Sequence, residues 1–427
     1  MIDIKLIRDN PEYVKKKIED RKYEINVDAI VFHDKEWRKL KEQSDALRAR
    51  RNKISVEISN VKKAGKNADF LMEEAKEIPE KMVALEATMK AEEEKRDALL
   101  QVVPNLQDDL VPVGGEEKNQ EIARWGAIPK FGFPIKSHDK LLEDLGLLDM
   151  KRGAKLAGTG FYLFKGELAR LERALIQFML DFHVKDGFTE INPPQIVNPK
   201  IMYGTGNLPK FEQDLYKLRE GNYLVPTAEV PVTNIYADEV LNENELPKRF
   251  CAFTQCYRTE AGRHGAETPG IFRLHEFEKV EMVYLCKPEE SWKLHEEMTA
   301  RAEKLLQMLK LPYRRILLAS GDAGFASAKT YDLEVWSPFL GRYLETSSCS
   351  NCTDFQARRM NTKFTENKTG ERKFVHTLNG SGLATPRLLI ALVENYQLED
   401  GTIKVPDVLV PYMNGKKVIG TKKIDKR

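Results

Sequence analysis

Residues 256–281 read CYRTEAGRHGAETPGIFRLHEFEKVE. Two strand-like runs carrying arginine and glutamate flank a glycine-rich, partly basic loop, the pattern of an antiparallel hairpin. Side chains alternate across a strand with period two. On the first run Cys256, Arg258 and Glu260 therefore share a face. On the second Arg273, His275, Phe277, Lys279 and Glu281 share one, with Phe272, Leu274 and Val280 opposite. Taken singly, each has an ordinary structural reading: Arg258 with Glu260 makes a cross-strand ion pair, and His275 is a satisfied core histidine. Together on one pleated face they predict a pocket for something planar and anionic, with arginine for phosphate, Phe277 for stacking and carboxylates for amines.

The hairpin lies within a series of similar runs: NYLVPTAEV (222–230), RFCAFTQCYRTE (249–260), IFRLHEFEKVEMVYL (271–285), YRRILLA (313–319), TYDLEVWSP (330–338) and RYLETSSCS (342–350). Their hairpin-like succession predicts an antiparallel sheet. Repeated strand-helix-strand alternation is missing, which excludes a Rossmann-type body. Leu168, Leu171, Leu175, Phe178, Met179 and Phe182 recur at helical spacing and predict a core-facing helix over 166–182. The fold class is α+β.

Two further segments supply what a phosphate-bearing ligand needs. In 332–350, DLEVWSPFLGRYLETSSCS, Glu345 and Ser348 form a hard-oxygen pair suited to Mg²⁺. In 376–397, HTLNGSGLATPRLLIALVENYQ reads as a strand, a glycine turn and a helix, with Arg387 in the helix's first turn. Cys349 and Cys352 resemble half a zinc site, but no second pair exists, so no structural zinc is expected and the thiols are read as packing. The GTG at 204–206 reads as a loop.

Ahead of this body, Trp37, Leu40, Ser44, Leu47, Arg51, Ile54, Ile58 and Val61 recur at steps of three and four; the pattern resumes from Leu71 to Leu99 and ends at Pro104. Two helices of about 30 residues, turning at Gly65, predict an antiparallel coiled-coil arm about 45 Å long. Pro79 should kink or interrupt the second helix. Over 33–64 the first helix has ten lysines and arginines against five acids. Charge on a coiled coil is ordinarily a solvated face. A two-helix rod has no large core of its own to serve, however, which favours a device reaching for a phosphate backbone. The expected division is an N-terminal domain over 1–104, a linker rich in Pro, Gly and acids over 105–134, and a catalytic domain over 135–427.

The net charge of +2 confines any nucleic-acid surface to a local patch. Five cysteines in 427 residues give no disulfide framework, and no window has the roughly 18 apolar residues of a membrane span. A reducing cytoplasm fits best.

The segments GTGNLPKF, VPTAEVP, YRTEAG, RLHEFEKVE, AKTYDLEVW, ETSSCSN, DFQARR and NGSGLATPRLLIALVENYQ occur in the order and spacing of bacterial-type seryl-tRNA synthetases, and the chain resembles that family over nearly its whole length. The resemblance implies a class II synthetase body: an antiparallel sheet flanked by helices, which joins serine to ATP and then to tRNA(Ser), and it leaves open whether tRNA(Sec) is charged as well. By family position, 187–197 forms a homodimer interface and the helical arm grips tRNA. The implied catalytic residues are Arg258, Glu345 and Arg387. Serine falls to Thr227, Ala228, Glu229, Arg258, Glu281, Asn379 and Ser381. ATP falls to Arg258, Thr259, Glu260, Leu274, His275, Phe277, Glu345, Thr346, Ser347, Ser348 and Arg387, with Mg²⁺ on Glu345 and Ser348. The hairpin loop departs from the family at Arg263, His264, Ala266 and Pro269, and Thr385 and Pro386 replace a more flexible pair. A related body kept only for nucleic-acid binding should have lost Arg258, Glu345 or Arg387, and all three are present. For a coiled-coil interaction protein the arm alone would matter.

Overall fold

The computed structural model describes residues 1–260 and 270–420, so the atypical loop positions 263–269 lie outside the described residues. The chain forms two compact units, one over Ile2–Pro104 and one holding Asn105–Arg427 together with Met1.

In the first unit, α1 (Val27–Lys63) and α2 (Asp69–Leu100) pair lengthwise. The Asn26 side chain caps α1 by accepting from the Ala29 amide at 2.9 Å, and Gly65, at φ +69°, reverses the chain. Ile54, Ile78 and Met82 fill the seam, with Leu47, Ile58, Leu71 and Ala75 beside them. Arg51, expected in the seam, is exposed. Its neighbour Arg50 crosses instead, with two hydrogen bonds of 2.7 Å to the Glu74 carboxylate, because a long side chain at the seam's edge can keep its charge in water. Helix α2 runs through Pro79 without interruption. Pro79 is exposed while Ile78 and Met82 are buried, so packing of the inner face offsets one backbone bond lost on the outer.

The second unit is built on an eight-stranded sheet: β1 (Gln120–Trp125), β2 (Thr189–Ile191), β3 (Lys248–Tyr257), β4 (Glu276–Cys286), β5 (Tyr313–Leu317), β6 (Lys329–Ser337), β7 (Arg342–Asn351) and β8 (His376–Ala384). Their spatial order is β1-β5-β6-β7-β8-β4-β3-β2. Every pair is antiparallel except β2 with β3. The stretch 105–134, read from its composition as a linker, thus carries an edge strand of this sheet. All six residues of β1 are exposed, which is why they lack the apolar alternation of the inner strands. Residues 222–230 are not a strand beyond Tyr223–Leu224; after Pro226 the chain turns into a short helix, Glu229–Thr233. Gly206 closes the helix Pro199–Thr205 rather than lying in a free loop.

Helices α3 (Glu167–Lys185), α4 (Ser291–Met308) and α6 (Thr385–Asn395) cover one face of the sheet, and α5 (Phe355–Met360) lies nearer the other. Val280, Met282, Tyr284 and Cys286 of β4 point into the core with Leu168, Leu171, Leu175 and Met179 of α3. By the same alternation Phe277, Lys279 and Glu281 point the opposite way. No described helix is long and apolar enough to cross a membrane.

Candidate active site

On the face of β4, β7 and β8 turned away from α3, α4 and α6 lies a cavity. Among its lining residues are Arg258, Glu260, Leu274, Phe277, Glu345 and Arg387. Cys256 pairs with Phe277 across the hairpin, which brings Arg258 over the Phe277 ring with 5.1 Å between guanidinium and ring centroid. Strand geometry ends at Tyr257 and resumes at Glu276, so period-two alternation fails over 270–275. Phe272 and Leu274, expected on the far side, both line the cavity. His275 does not line it. Its ring stacks on Phe161 with 5.3 Å between centroids, and its Nδ1 lies 3.0 Å from the Arg258 carbonyl oxygen. Thr259 donates its hydroxyl to the Gln213 carbonyl at 2.6 Å and also lies off the cavity.

Several charges on this face find one another, more than the hairpin's face alone suggested. Glu260 pairs with Arg273 at 3.1 Å rather than with Arg258, Glu281 pairs with Lys279, and Arg387 reaches Glu345 Oε2 at 3.0 Å. Arg258 has no carboxylate partner among the described residues. Its Nε makes only a long contact, 3.4 Å, to the Pro226 carbonyl.

Two β-bulges decide which side chains meet. Residues three apart on a regular strand face opposite ways. In β7, however, Glu345 and Thr346 together oppose Glu334, and the register then resumes with Ser347 against Leu333. The extra residue turns Glu345, Thr346 and Ser348 to the cavity and sends Ser347 inward, where its hydroxyl donates to the Ser381 carbonyl at 2.6 Å. In β8 the register slips at Gly382, between Ser381 and Leu383. The expected glycine turn is absent, and Gly380 and Gly382 sit inside the strand. A Cβ at Gly380 would lie 2.8 Å from the sulfurs of Cys349 and Met298, so close approach of α4 requires glycine there. The strand passes directly into α6, which places Arg387 in the helix's first turn.

Beside this cavity, Thr227 donates to Glu281 Oε2 at 3.1 Å, and Asn379 donates to Glu229 Oε1 at 3.0 Å. Glu229 lines an adjoining recess with Thr227 and Arg258; Ala228, fully buried, backs it. Burial, and then the nearby Glu281 carboxylate, push Glu229 up to about 7. All five cysteines are free and buried; Cys349 packs in the core, while the Cys352 sulfur is 3.5 Å from the Asn379 amide.

Sequence reasoning missed Asp332 and set Phe272 on the wrong side. The Phe272 ring lies 5.5 Å from the guanidinium groups of both Arg342 and Arg387. Lys279, set on the Glu281 face by alternation, lines the cavity as that reading requires. Asp332 is paired in register with Ser348, and its Oδ1 is buried without a hydrogen-bond partner. Burial and the neighbouring Glu345 hold Asp332 well above the usual carboxylate range.

Behind the sheet, Glu278 accepts from the Tyr162 hydroxyl at 3.0 Å and abuts Glu172, which burial and Glu278 push up to about 9. In the unfolded chain Glu172 ionises at the ordinary glutamate pH, whereas the folded protein keeps it protonated until about 9. Stability therefore declines as pH rises between those values. Glu172→Gln is expected to raise the melting temperature by several degrees at pH 8 and to change it little at pH 4. Equal shifts at both pH values would contradict this assignment.

Family models match both units: residues 1–107 match the seryl-tRNA synthetase N-terminal domain, and 210–396 match the tRNA synthetase class II core domain (G, H, P, S and T). A serine–tRNA ligase of Staphylococcus saprophyticus is 47% identical over 423 residues, 98% of this chain and 99% of that protein. One from Thermodesulfovibrio yellowstonii is 47% identical over 418 residues, 97% of this chain and 99% of its own length. Among solved structures, seryl-tRNA synthetase from Pyrococcus horikoshii complexed with ATP superposes with a TM-score of 0.92 at 39% identity, covering 98% of this chain and 99% of that one. The cytoplasmic serine–tRNA ligase of Naegleria fowleri in complex with AMP gives 0.88 at 32% identity, with 98% of each chain covered.

Proposed function

We infer the division of chemical labour from one premise: the chain belongs to the seryl-tRNA synthetase family. It is a serine–tRNA ligase, which activates serine with ATP and transfers it to tRNA. In the first step a serine carboxylate oxygen attacks the α-phosphorus and pyrophosphate leaves; in the second the terminal hydroxyl of tRNA attacks the acyl carbonyl and AMP leaves.

The observation carrying the residue assignment is the unpaired Arg258 guanidinium between the two recesses, stacked on Phe277. It is placed to contact the α-phosphate and the serine carboxylate together, countering charge as the P–O bond forms. Adenine lies on Phe277 beside Leu274, with Glu260 toward its amine, and Arg387 takes the far phosphate after leaving Glu345. Thr346 completes the wall of the nucleotide cavity. His275 and Thr259 act by holding the ends of the hairpin rather than by touching ATP, and Ser347 by fixing the Ser381 backbone. In the serine recess Glu229 faces the ammonium group, while Glu281 and Thr227 take the hydroxyl, with Asn379 and Ser381 as the wall.

Glu345 and Ser348, turned to one side by the bulge, offer hard oxygens, and the unpartnered Asp332 Oδ1 lies across from Ser348. This donor set fits Mg²⁺, which would be held by Glu345 and Ser348. Bound there, the ion would neutralise phosphate charge. The arm contacts tRNA through exposed lysines and arginines of α1, and exposed Val184 and Ile196 fit an apolar contact between two copies in a homodimer. The enzyme works in the cytoplasm, where its five buried thiols stay reduced.

Pyrophosphate exchange measured with each of the twenty amino acids tests the reading. Serine alone should support strong exchange. Alanine should fall below it by a factor on the order of 10⁴, because it brings no hydroxyl to the buried Glu281 carboxylate, whose Oε1 is bonded by neither Thr227 nor Lys279. Comparable exchange with alanine or threonine would refute the assignment of Glu281.

A further inference from the structure

The segment DFQARR (354–359) adjoins the serine recess with no part in the chemistry proposed so far. Its two arginines are taken up structurally: Arg358 bonds the Asp354 carboxylate at 2.7 Å, and Arg359 donates to the carbonyls of Tyr203 and Leu208 at 2.7 and 2.9 Å. Gln356 differs. It is fully buried, and its Nε2 donates to Glu229 Oε1 at 2.7 Å and to the Thr205 carbonyl at 3.3 Å. Its Oε1 accepts from the Thr377 hydroxyl at 2.7 Å. With acceptors on one side and a hydroxyl donor on the other, the amide has one orientation that satisfies every partner. The Thr205 carbonyl and the Glu229 carboxylate, which only accept, fix the NH₂ group toward Glu229, and the Thr377 hydroxyl anchors the other end of the amide by donating to Oε1.

Gln356 and Asn379 both bond Glu229 Oε1, and no described residue bonds Oε2, which is left to the recess. We propose that Gln356 is a positioning residue for serine: by donating to Oε1 it fixes the Glu229 carboxylate and turns Oε2 toward the substrate ammonium group. The proposal rests on the reading of Glu229 as a serine ligand. The charged groups facing Glu229 are Glu281 and Lys279 from β4 and Arg258 beyond β3. Glu281 opposes ionisation of Glu229, and the two cations favour it. The Gln356 hydrogen bond favours the ionised form as well, and only that form attracts a cationic amine.

Gln356→Met keeps the volume and removes the donor. In serine-dependent pyrophosphate exchange it should raise the serine KM about 10- to 100-fold, the range for losing a hydrogen bond to a charged group. The ATP KM should stay within about twofold, and kcat at saturating serine should change far less than the serine KM. The acid limb of kcat/KM for serine should also move to higher pH, because Glu229 ionises less readily without its donor; general loosening of the recess would not move that limb. Thr377→Val, which leaves Gln356 in place but removes the hydroxyl that anchors its Oε1, should shift the limb in the same direction by a smaller amount and serves where Gln356→Met fails to fold. Glu229→Gln separates the two levels of the argument. If it leaves the serine KM unchanged, the reading of Glu229 fails. If it raises the serine KM while folded Gln356→Met and Thr377→Val leave both KM and the acid limb unmoved, the role of Gln356 is overturned.

Discussion

Replacing Arg258 with alanine is expected to lower serine-dependent pyrophosphate exchange by about 10³-fold, the scale of removing a preorganised donor from a developing negative charge. The expectation follows from what Arg258 does before substrates arrive. It forms no ion pair among the described residues, only a stacking contact with Phe277 and the 3.4 Å contact to Pro226. Its loss therefore breaks no ion pair and forfeits about 1 kcal/mol of cation–π attraction. Activity should collapse while the melting temperature hardly moves. Arg258→Lys should recover only part of the rate, because an ammonium retains the charge but not the planar fork that can bond two oxygens at once. A folded Arg258→Ala enzyme with exchange within tenfold of the parent would show that the phosphate is met elsewhere. Glu281 provides the contrast: it already bonds Thr227 and pairs with Lys279, so its removal should disturb stability as well as serine binding.

The second large effect concerns the arm. Excising 37–99 is expected to reduce aminoacylation of tRNA by on the order of 10³-fold or more, with pyrophosphate exchange retained within about twofold. The arm's core residues Ile54, Ile78 and Met82 form a cluster of their own, and every cavity residue belongs to the second compact unit. Arg38, Arg48 and Arg50 are already paired with carboxylates. Lys35, Lys39, Lys41, Arg51, Lys53, Lys62 and Lys63 are exposed and make no ion pair among the described residues, so these seven are the candidates for phosphate contact. Neutralising them should flatten the dependence of tRNA binding on salt concentration, since each phosphate contact releases counterions. Loss of exchange together with charging, in a protein that still folds, would contradict the division of labour between the two units.

The reach of sequence reasoning followed the regularity of the backbone. Alternation assigned Phe277, Lys279 and Glu281 to one face of β4 because that strand is regular and its opposite face feeds a single core. The same rule misplaced Phe272 and Leu274, since 270–275 is not strand and no sequence signal marks where a ladder stops. Glu345 and Ser348 were picked for their oxygens, but only the bulge at Thr346 explains how residues three apart share a cavity. Gln356 and Asp332 escaped because their roles depend on partners 127 residues away in one case and across a strand register in the other. Arg51 entered the predicted seam by counting threes and fours, whereas Arg50 holds the crossing position through its bond to Glu74. Spacing cannot tell neighbouring arginines apart when the choice rests on a carboxylate of the opposite helix.

A crystal structure with a non-hydrolysable seryl-adenylate analogue would show which residues meet the phosphate and the serine side chain. The adenine ring should lie on Phe277, a phosphate oxygen within hydrogen-bond distance of Arg258, and the serine hydroxyl on Glu281. An analogue bound with its phosphate out of reach of Arg258, or with its serine side chain outside the recess of Thr227, Glu229 and Glu281, would contradict it.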